Sequence, residues 1–227
     1  MKFYKLAAAV AVLVSSTANA AMIDVYDNRL DFRAATGTTA VTEDFNSVTV
    51  GTSFIGMPLD LGGFTLERTE GLFPGIPTGE IQAGTGNFSV NGTNFASVGI
   101  SPSVGELVLN FAVPIFSFGL DLNSFNDEVS AGDTTTLRTS IWLDGVIGVP
   151  MLTAAPDSIT RFLGFTSDTS FSSISFVADL LPSPGDSFGI DNIEYSTVSA
   201  VPVPAAAWLF GSAILGMFGF SRRKTRV

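Results

Sequence analysis

Apolar residues recur at every second position over several short stretches of residues 21–200, with polar residues between them. This period of two is typical of strands that bury one face only. Residues 107–111 predict one strand, residues 115–122 predict the next, and Asp144–Gly145 predicts a hairpin turn leading into residues 146–149. The inward-facing sets are Phe116, Phe118, Leu120 and Leu122; Leu137, Thr139, Ile141 and Leu143; Phe171, Ile174 and Phe176; and Phe188, Ile190, Ile193 and Tyr195.

A single short helix is predicted near the start of this region, over residues 24–36. Asp27 or Asn28 suits its N-cap, and Gly37 suits its end. A parallel α/β fold would need repeated amphipathic helices, which the pattern lacks. We therefore predict an all-β fold, a β-sandwich or jelly roll with a short N-terminal helix, for residues 21–200. The Gly-rich residues 51–63 and 71–99 predict long loops or irregular edge strands.

The first 20 residues have the organisation of a secretory signal peptide. Lys2 and Lys5 precede an apolar run of nine residues, and Ala18 and Ala20 satisfy the small-x-small rule for signal peptidase. The apolar run is too short to cross a bilayer. We predict that signal peptidase removes residues 1–20 by cutting after Ala20.

The last 27 residues, 201–227, contain a second apolar segment. Residues 205–220 carry no charge, and the uncharged stretch reaches twenty residues when it is counted from Val201. Twenty residues is the length that a transmembrane helix needs. Basic residues beside an apolar span stay on the cytoplasmic side of the membrane. We predict one C-terminal transmembrane helix with residues 21–200 outside the cell membrane and a basic tail inside, formed by Arg222, Arg223, Lys224 and Arg226.

The order of residues in this segment resembles the PEP-CTERM sorting signal, most closely its Val-Pro-Leu/Val-Pro-Ala-Ala variant. Its motif is Val201, Pro202, Val203, Pro204, Ala205, Ala206 and Trp208, followed by a glycine-containing apolar stretch and the basic tail. Val203 stands where the commoner Val-Pro-Glu-Pro form has glutamate. The alternative is a generic single-span anchor that keeps the protein in the periplasm.

The PEP-CTERM resemblance implies a Gram-negative host that makes exopolysaccharide, and recognition by an exosortase-type membrane protease. It also implies a route for the protein. The precursor would be anchored in the inner membrane with its domain in the periplasm, and the domain would then pass to the outer surface or the extracellular matrix.

Residues 21–200 are strongly acidic, with all 21 Asp and Glu of the chain, five arginines and no lysine, hence a net charge of −16. Nucleic-acid binding needs basic side chains that displace counterions from phosphates, so nucleic acid is excluded as a partner. Cysteine is absent, and the fold must rely on its core. Eighteen of the 20 phenylalanines lie in this region, and we interpret them as packing residues, with aromatic ligand platforms as the alternative.

Candidate catalytic chemistry is scarce. Histidine is absent from the whole chain, which excludes histidine-based triads and metal sites. Neither a Gly-x-Ser-x-Gly elbow nor a phosphate-binding glycine loop is present. Pairs of carboxylates could still serve a glycosidase, but 21 acidic residues make chance pairs certain. We expect a protein that is not an enzyme and requires no cofactor, with an exported glycan-processing enzyme as the alternative.

Calcium binding is the stronger chemical hypothesis, because calcium prefers carboxylate, amide and carbonyl oxygens. The candidate residues are Asp121 and Asn123, next to residues 126–128, and separately Asp186, Asp191 and Asn192. The first cluster is not an EF-hand loop, since Asn126 occupies the position of its glycine. The alternative, which we prefer, is that these are turn residues bonded to their own backbone.

A second, looser resemblance concerns the exported region. The runs 118–121, 142–145, 162–167 and 188–193 are similar to β-sandwich ectodomains of PEP-CTERM proteins and, distantly, to jelly-roll carbohydrate-binding modules. The functional hypothesis is therefore an exported cell-surface or matrix protein with a structural or glycan-binding role, whose partners include exopolysaccharide.

Overall fold

The structure, a computed structural model, describes residues 21–37, 41–69, 79–85, 88–101, 105–125, 139–149, 160–178 and 186–199. Both predicted terminal signals lie outside these residues, including Ala18, Ala20, the sorting motif, the basic tail and the C-terminal transmembrane helix. Residues 126–128 of the first calcium candidate also lie outside them. None of the described residues forms a helix long and apolar enough to cross a membrane.

Within the described residues the chain forms one helix and eleven strands. They are β1 (Ile23–Tyr26), α1 (Arg29–Thr36), β2 (Val41–Glu43), β3 (Leu59–Asp60), β4 (Phe64–Arg68), β5 (Gly79–Gln82), β6 (Phe95–Ile100), β7 (Leu107–Asn123), β8 (Thr139–Leu143), β9 (Ile147–Gly148), β10 (Thr160–Ala178) and β11 (Asp186–Ser196).

Strands β7 and β10 are unusually long and pair with each other twice. Residues 160–166 of β10 pair with 117–123 of β7, and residues 173–176 pair with 107–110. The register shifts on either side of Phe171, between these two stretches. Each long strand thus contributes its two halves to two different sheets, as strands that bend at a bulge can do.

The two sheets follow from the remaining antiparallel pairings. The first has the order β5-β6-β11-β7-β10-β1, with β2 beside the later part of β11. The second has the order β3-β4-β7-β10-β8-β9. The predicted strands 107–111 and 115–122 are one continuous strand, which was not foreseen because Pro114 separates them.

The core lies between the two sheets and is rich in phenylalanine. The rings of Phe64 on β4 and Tyr195 on β11 are 6.0 Å apart, and those of Phe176 on β10 and Phe188 on β11 are 5.9 Å apart. Each pair joins one sheet to the other, at the separation typical of packed aromatic side chains. The predicted all-β sandwich with a short N-terminal helix is confirmed, and its strand pairs are antiparallel.

Helix α1 has the predicted caps but a later start. The Asn28 side chain accepts hydrogen bonds from the backbone N–H groups of Leu30, at 2.8 Å, and Asp31, at 3.4 Å, while Gly37 ends the helix at φ 78°. The prediction that the helix begins near Asp24 is wrong. Residues 23–26 form β1, which pairs with β10 and packs Ile23 and Val25 against the core.

Two details of the inward-facing pattern depend on strand irregularities. Phe116 is only half-buried whereas Ile115 is fully buried, because the alternation breaks where β7 passes between the sheets. In β11 both Ile190 and Ile193 are buried, three positions apart, because the register shifts between Asp191 and Glu194. The predicted Asp144–Gly145 turn is confirmed: φ is 48° and 66°, the positive values of a type I′ turn, and the Val146 N–H donates to the Leu143 carbonyl at 3.0 Å. Because Leu143 pairs with Ile147, Val146 is one extra residue in the loop.

Candidate functional site

The outer face of the first sheet is covered by helix α1. Phe32 is fully buried there, above Gly119 on β7 and Gly164 on β10, which are paired directly across the two strands. A methyl group on Gly164 would lie 2.7 Å from the Phe32 ring, and one on Gly119 would lie 2.7 Å from the Phe162 ring. These contacts are too short for any side chain. The two glycines therefore form the floor on which the aromatic residues pack.

Beside the helix, the structure brings together three of the predicted calcium residues. Asp121 on β7 lies opposite Asp191 on β11, so both side chains are on the same face of the sheet. The Asn192 side chain donates a hydrogen bond to Asp121 at 2.8 Å, and the Asn192 backbone N–H donates to Asp191 at 2.7 Å. Asn192 has φ 50°, the left-handed conformation that asparagine tolerates well.

Two arginines of α1 neutralise part of this cluster. They are four positions apart and hence on one face of the helix. Arg29 contacts Asp121 at 3.1 Å and Glu194 at 3.2 Å, and Arg33 donates two hydrogen bonds to the Glu194 carboxylate. The Glu194 side chain has no exposed surface.

Sequence reasoning missed Glu194 and both arginines. The available signals were the i, i+4 spacing of Arg29 and Arg33 and an acidic residue in an otherwise apolar strand. Neither signal identifies the partner, because Glu194 lies more than 160 positions after both arginines along the chain.

Asp191 carries the most perturbed carboxyl group of the cluster. The residue is fully buried, and this desolvation raises its pKa from 3.8 to about 7. Hydrogen bonds from the Asn192 backbone N–H and the Thr93 hydroxyl favour the ionised form, while the nearby charges of Asp121 and Asp44 oppose it. Burial is the dominant effect, so the proton is retained up to near-neutral pH.

The other two predicted calcium residues lie apart from this cluster. Asn123 donates hydrogen bonds to the Ser89 carbonyl, at 2.9 Å, and to the Thr160 hydroxyl, at 3.0 Å. Asp186 accepts a hydrogen bond from the Thr139 hydroxyl at 2.7 Å. Asp186 is five residues before Asp191, about 16 Å along an extended strand. The predicted grouping of Asp186 with Asp191 and Asn192 is therefore wrong.

The part of the chain that the structure describes contains no group of three acidic side chains placed to hold a metal ion. Asp191 accepts from the backbone N–H of the next residue, as turn and capping residues do, whereas Asp121 contacts the side chains of Arg29 and Asn192, which are distant in sequence. Calcium binding stays a prediction. The buried positions of Asp191 and Glu194 also place both carboxyls out of reach of a substrate for the glycosidase alternative.

The outer face of the second sheet is different, because no described element covers it. One row of directly paired residues runs across five strands of this sheet, from β4 through β7, β10 and β8 to β9. Its members are Glu67, Val108, Ser175, Trp142 and Gly148. All five are half-buried or exposed, whereas the two neighbours of Trp142 along its strand, Ile141 and Leu143, are buried.

Trp142 is the one large aromatic side chain among the exposed residues of the described chain, with 37% of its surface accessible. Its six-membered ring lies over Gly148 on the neighbouring strand, where a methyl group would be 3.7 Å from the nearest ring atom. The indole thus contacts the backbone of the neighbouring strand, and more than a third of its surface remains accessible to solvent.

A second, parallel row supplies uncharged polar groups beside Trp142. It consists of Thr65, Asn110 and Ser173, which pair across β4, β7 and β10. Acidic residues stand at its two ends. Asp60 pairs with Thr65, and Asp144 accepts hydrogen bonds from the Ser173 backbone N–H, at 2.8 Å, and hydroxyl, at 3.2 Å. We call the two rows together the Trp142 face; neither row contains a basic residue.

Comparisons with known proteins give no family for this chain. No protein-family model matches the sequence, and no curated protein matches it. Among solved structures, the K2 cleaved adhesin domain of Lys-gingipain is similar at a TM-score of 0.42 and 11% identity, covering 69% of this chain and 99% of that one.

Two further similar structures are mutants of family 29 carbohydrate-binding modules. One has a TM-score of 0.37 and 17% identity, and covers 72% of this chain and 95% of the module. The other has a TM-score of 0.29 and 17% identity, and covers 80% of this chain and 95% of the module. Scores this low do not establish shared function.

Proposed function

We propose that this chain is a non-enzymatic glycan-binding protein of the cell surface or extracellular matrix, and that the Trp142 face is its binding surface. The observation that carries the proposal is an exposed indole on a sheet face that no described element covers, next to a row of neutral hydroxyl and amide groups. This arrangement supports binding of an extended, hydroxyl-rich polymer rather than of a small molecule enclosed in a pocket.

The chemistry of a sugar ring suits such a surface. A pyranose ring has a face of C–H groups, which can stack on the indole, and an edge of hydroxyls, which exchange hydrogen bonds with polar side chains. Tryptophan combines a large apolar area with few rotatable bonds, so ordering it on binding costs little entropy. Asn110 offers an amide donor and acceptor, and Ser173 and Thr65 offer hydroxyls.

Affinity gel electrophoresis in the presence of soluble polysaccharides tests the proposal. We expect one or more polysaccharides to retard the full chain, and the Trp142→Ala variant to lose that retardation. Val146→Ala is the matched control, because Val146 is 77% exposed on the same β8–β9 hairpin but outside the Trp142 face. Retardation that persists in Trp142→Ala, or that is lost equally in Val146→Ala, would contradict the assignment of this face.

Export and sorting are part of the same proposal and rest on the terminal residues. Signal peptidase would release the chain at Ala21, and an exosortase-type protease would act on the segment that begins at Val201. Intact mass spectrometry of the protein recovered from the surface of host cells tests this step. A mass that still includes residues 208–227 would rule out processing by such a protease and leave a plain membrane anchor.

A further inference from the structure

Building on the proposed function, we infer that the Trp142 face recognises a polysaccharide bearing free amino groups, such as a partly de-N-acetylated hexosamine polymer, and that Glu67 provides the charge that selects it. Two observations support this ligand class: the described residues are mostly acidic, and the Glu67 carboxylate lies in the same row as Trp142.

The described residues are strongly acidic, with 15 Asp and Glu against four arginines. Arg29 and Arg33 contact Asp121 and Glu194 at the helix-covered face of the other sheet. Arg68 is buried and donates to the Gly99 carbonyl at 3.4 Å, and Arg161 lies in the part of β10 that belongs to the first sheet. All four described arginines are therefore accounted for away from the Trp142 face.

Two acidic residues, Glu67 and Asp60, lie on the strands at one end of the Trp142 face. Glu67 occupies the same row as Trp142, and Asp60 lies on the adjoining strand β3. Three strand spacings separate Glu67 from Trp142, about 14 Å. Between them stand only Val108 and Ser175, both small and half-buried. A sugar polymer laid across the strands can therefore stack on Trp142 and place a substituent beside Glu67.

Charge decides which substituent fits. An ammonium group beside Glu67 would form a charge-assisted hydrogen bond, whereas a uronic carboxylate would meet a like charge with no described cation to offset it. The net charge of −16 over residues 21–200 acts in the same direction at longer range, attracting cationic and repelling anionic polymers. A neutral glycan would gain the stacking contact only.

Calorimetric titration of the full chain with three oligosaccharides of equal length tests the inference. The probes are an oligomer of glucosamine, its fully N-acetylated counterpart and an oligomer of a uronic acid, at a pH below the pKa of the sugar amine. We expect the glucosamine oligomer to bind roughly 10-fold tighter than the N-acetylated one, and that advantage to shrink between about 0.05 M and about 0.5 M salt. We expect no binding of the uronic acid.

Two variants assign the effect to residues. Glu67→Gln is expected to remove most of the preference for the free amine while retaining binding of the N-acetylated oligomer. Trp142→Ala is expected to abolish binding of both. Asp24→Asn, which removes an exposed carboxylate from the other sheet, is the charge-matched control and should leave the preference unchanged.

The remaining outcomes contradict separate parts of the account. Equal affinity for the amino and N-acetylated oligomers, with both lost in Trp142→Ala, would overturn the ligand class but retain the glycan-binding face. Binding of the glucosamine oligomer that survives Trp142→Ala would be general attraction to an acidic protein and would overturn the site. A dimer in sedimentation velocity that Trp142→Ala dissociates would assign the face to self-association and overturn the inference. Failure of all three probes and of the wider polysaccharide panel would overturn the proposed function itself.

Discussion

Replacing Asp191 by asparagine is expected to make the protein more stable at neutral and alkaline pH. Asp191 is fully buried, and its pKa is raised from 3.8 to about 7, chiefly by desolvation. A carboxyl whose folded-state pKa lies above its unfolded value binds more protons in the folded state, so stability falls as pH rises between the two values. Above pH 7 the ionised Asp191 carboxylate therefore destabilises the folded protein, and the asparagine variant lacks this charge.

The size of the penalty follows from the shift. Each pKa unit corresponds to 1.36 kcal/mol, so a rise of about three units costs at most about 4 kcal/mol once the group is fully ionised. Below pH 4 the carboxyl is protonated in both states and the cost disappears. The amide is nearly isosteric and its oxygen can still accept from the Asn192 backbone N–H, so few other contacts change.

Urea unfolding of wild type and Asp191→Asn at several pH values from about 4 to about 8 measures the difference. We expect the two free energies of unfolding to agree within about 1 kcal/mol at pH 4 and to diverge by about 2–4 kcal/mol in favour of the variant at pH 8. Asp24→Asn, at an exposed position, should follow the wild-type curve. A variant that is less stable than wild type at pH 8 would refute the reasoning, because the ionised carboxylate would then be stabilised by its neighbours.

Other variants test the packing and ion pairs. Phe32→Ala should cost about 3–5 kcal/mol of unfolding free energy, measured by urea, because it empties the space above the paired glycines, whereas the exposed Leu30→Ala should cost under about 1 kcal/mol. Glu194→Gln should lower the free energy of unfolding by about 1–3 kcal/mol near neutral pH. The loss should be smaller than for a fully buried ion pair, because Arg29 and Arg33 are partly exposed. Thermal melts that match those of the wild type would contradict this. Gly145→Ala should cost about 1 kcal/mol, because alanine is strained at φ 66°, and a neutral result would argue against the type I′ turn.

Local signals explain which parts of the fold were predictable from sequence. The caps of α1, the type I′ turn at Asp144–Gly145 and the inward alternation of Phe118, Leu120 and Leu122 all depend on neighbouring residues. The continuity of β7 through Pro114 was not predictable in this way. Pro114 lies between the stretches that pair with β10, where no ladder hydrogen bond is required of it.

The candidate sites are formed by residues that are distant in sequence and meet only through strand pairing, so their spacing along the chain does not predict the contacts. Asp121 and Asp191 meet because β7 and β11 pair in one particular register, and a shift by one residue would place them on opposite faces. Trp142 could be assigned to a strand from its neighbours Ile141 and Leu143. That it shares a row with Glu67 follows only from the order of four strands.

The most direct test of the central claim is the fluorescence of Trp142 during a polysaccharide titration. The chain has two tryptophans, so the full chain carrying Trp208→Phe leaves Trp142 as the sole indole reporter. Stacking of a sugar ring on the solvent-facing side of the indole removes water from it. The account predicts a saturable blue shift of the emission that follows the binding curve of the same polysaccharide. Binding that leaves the emission of Trp142 unchanged would show that the glycan binds elsewhere.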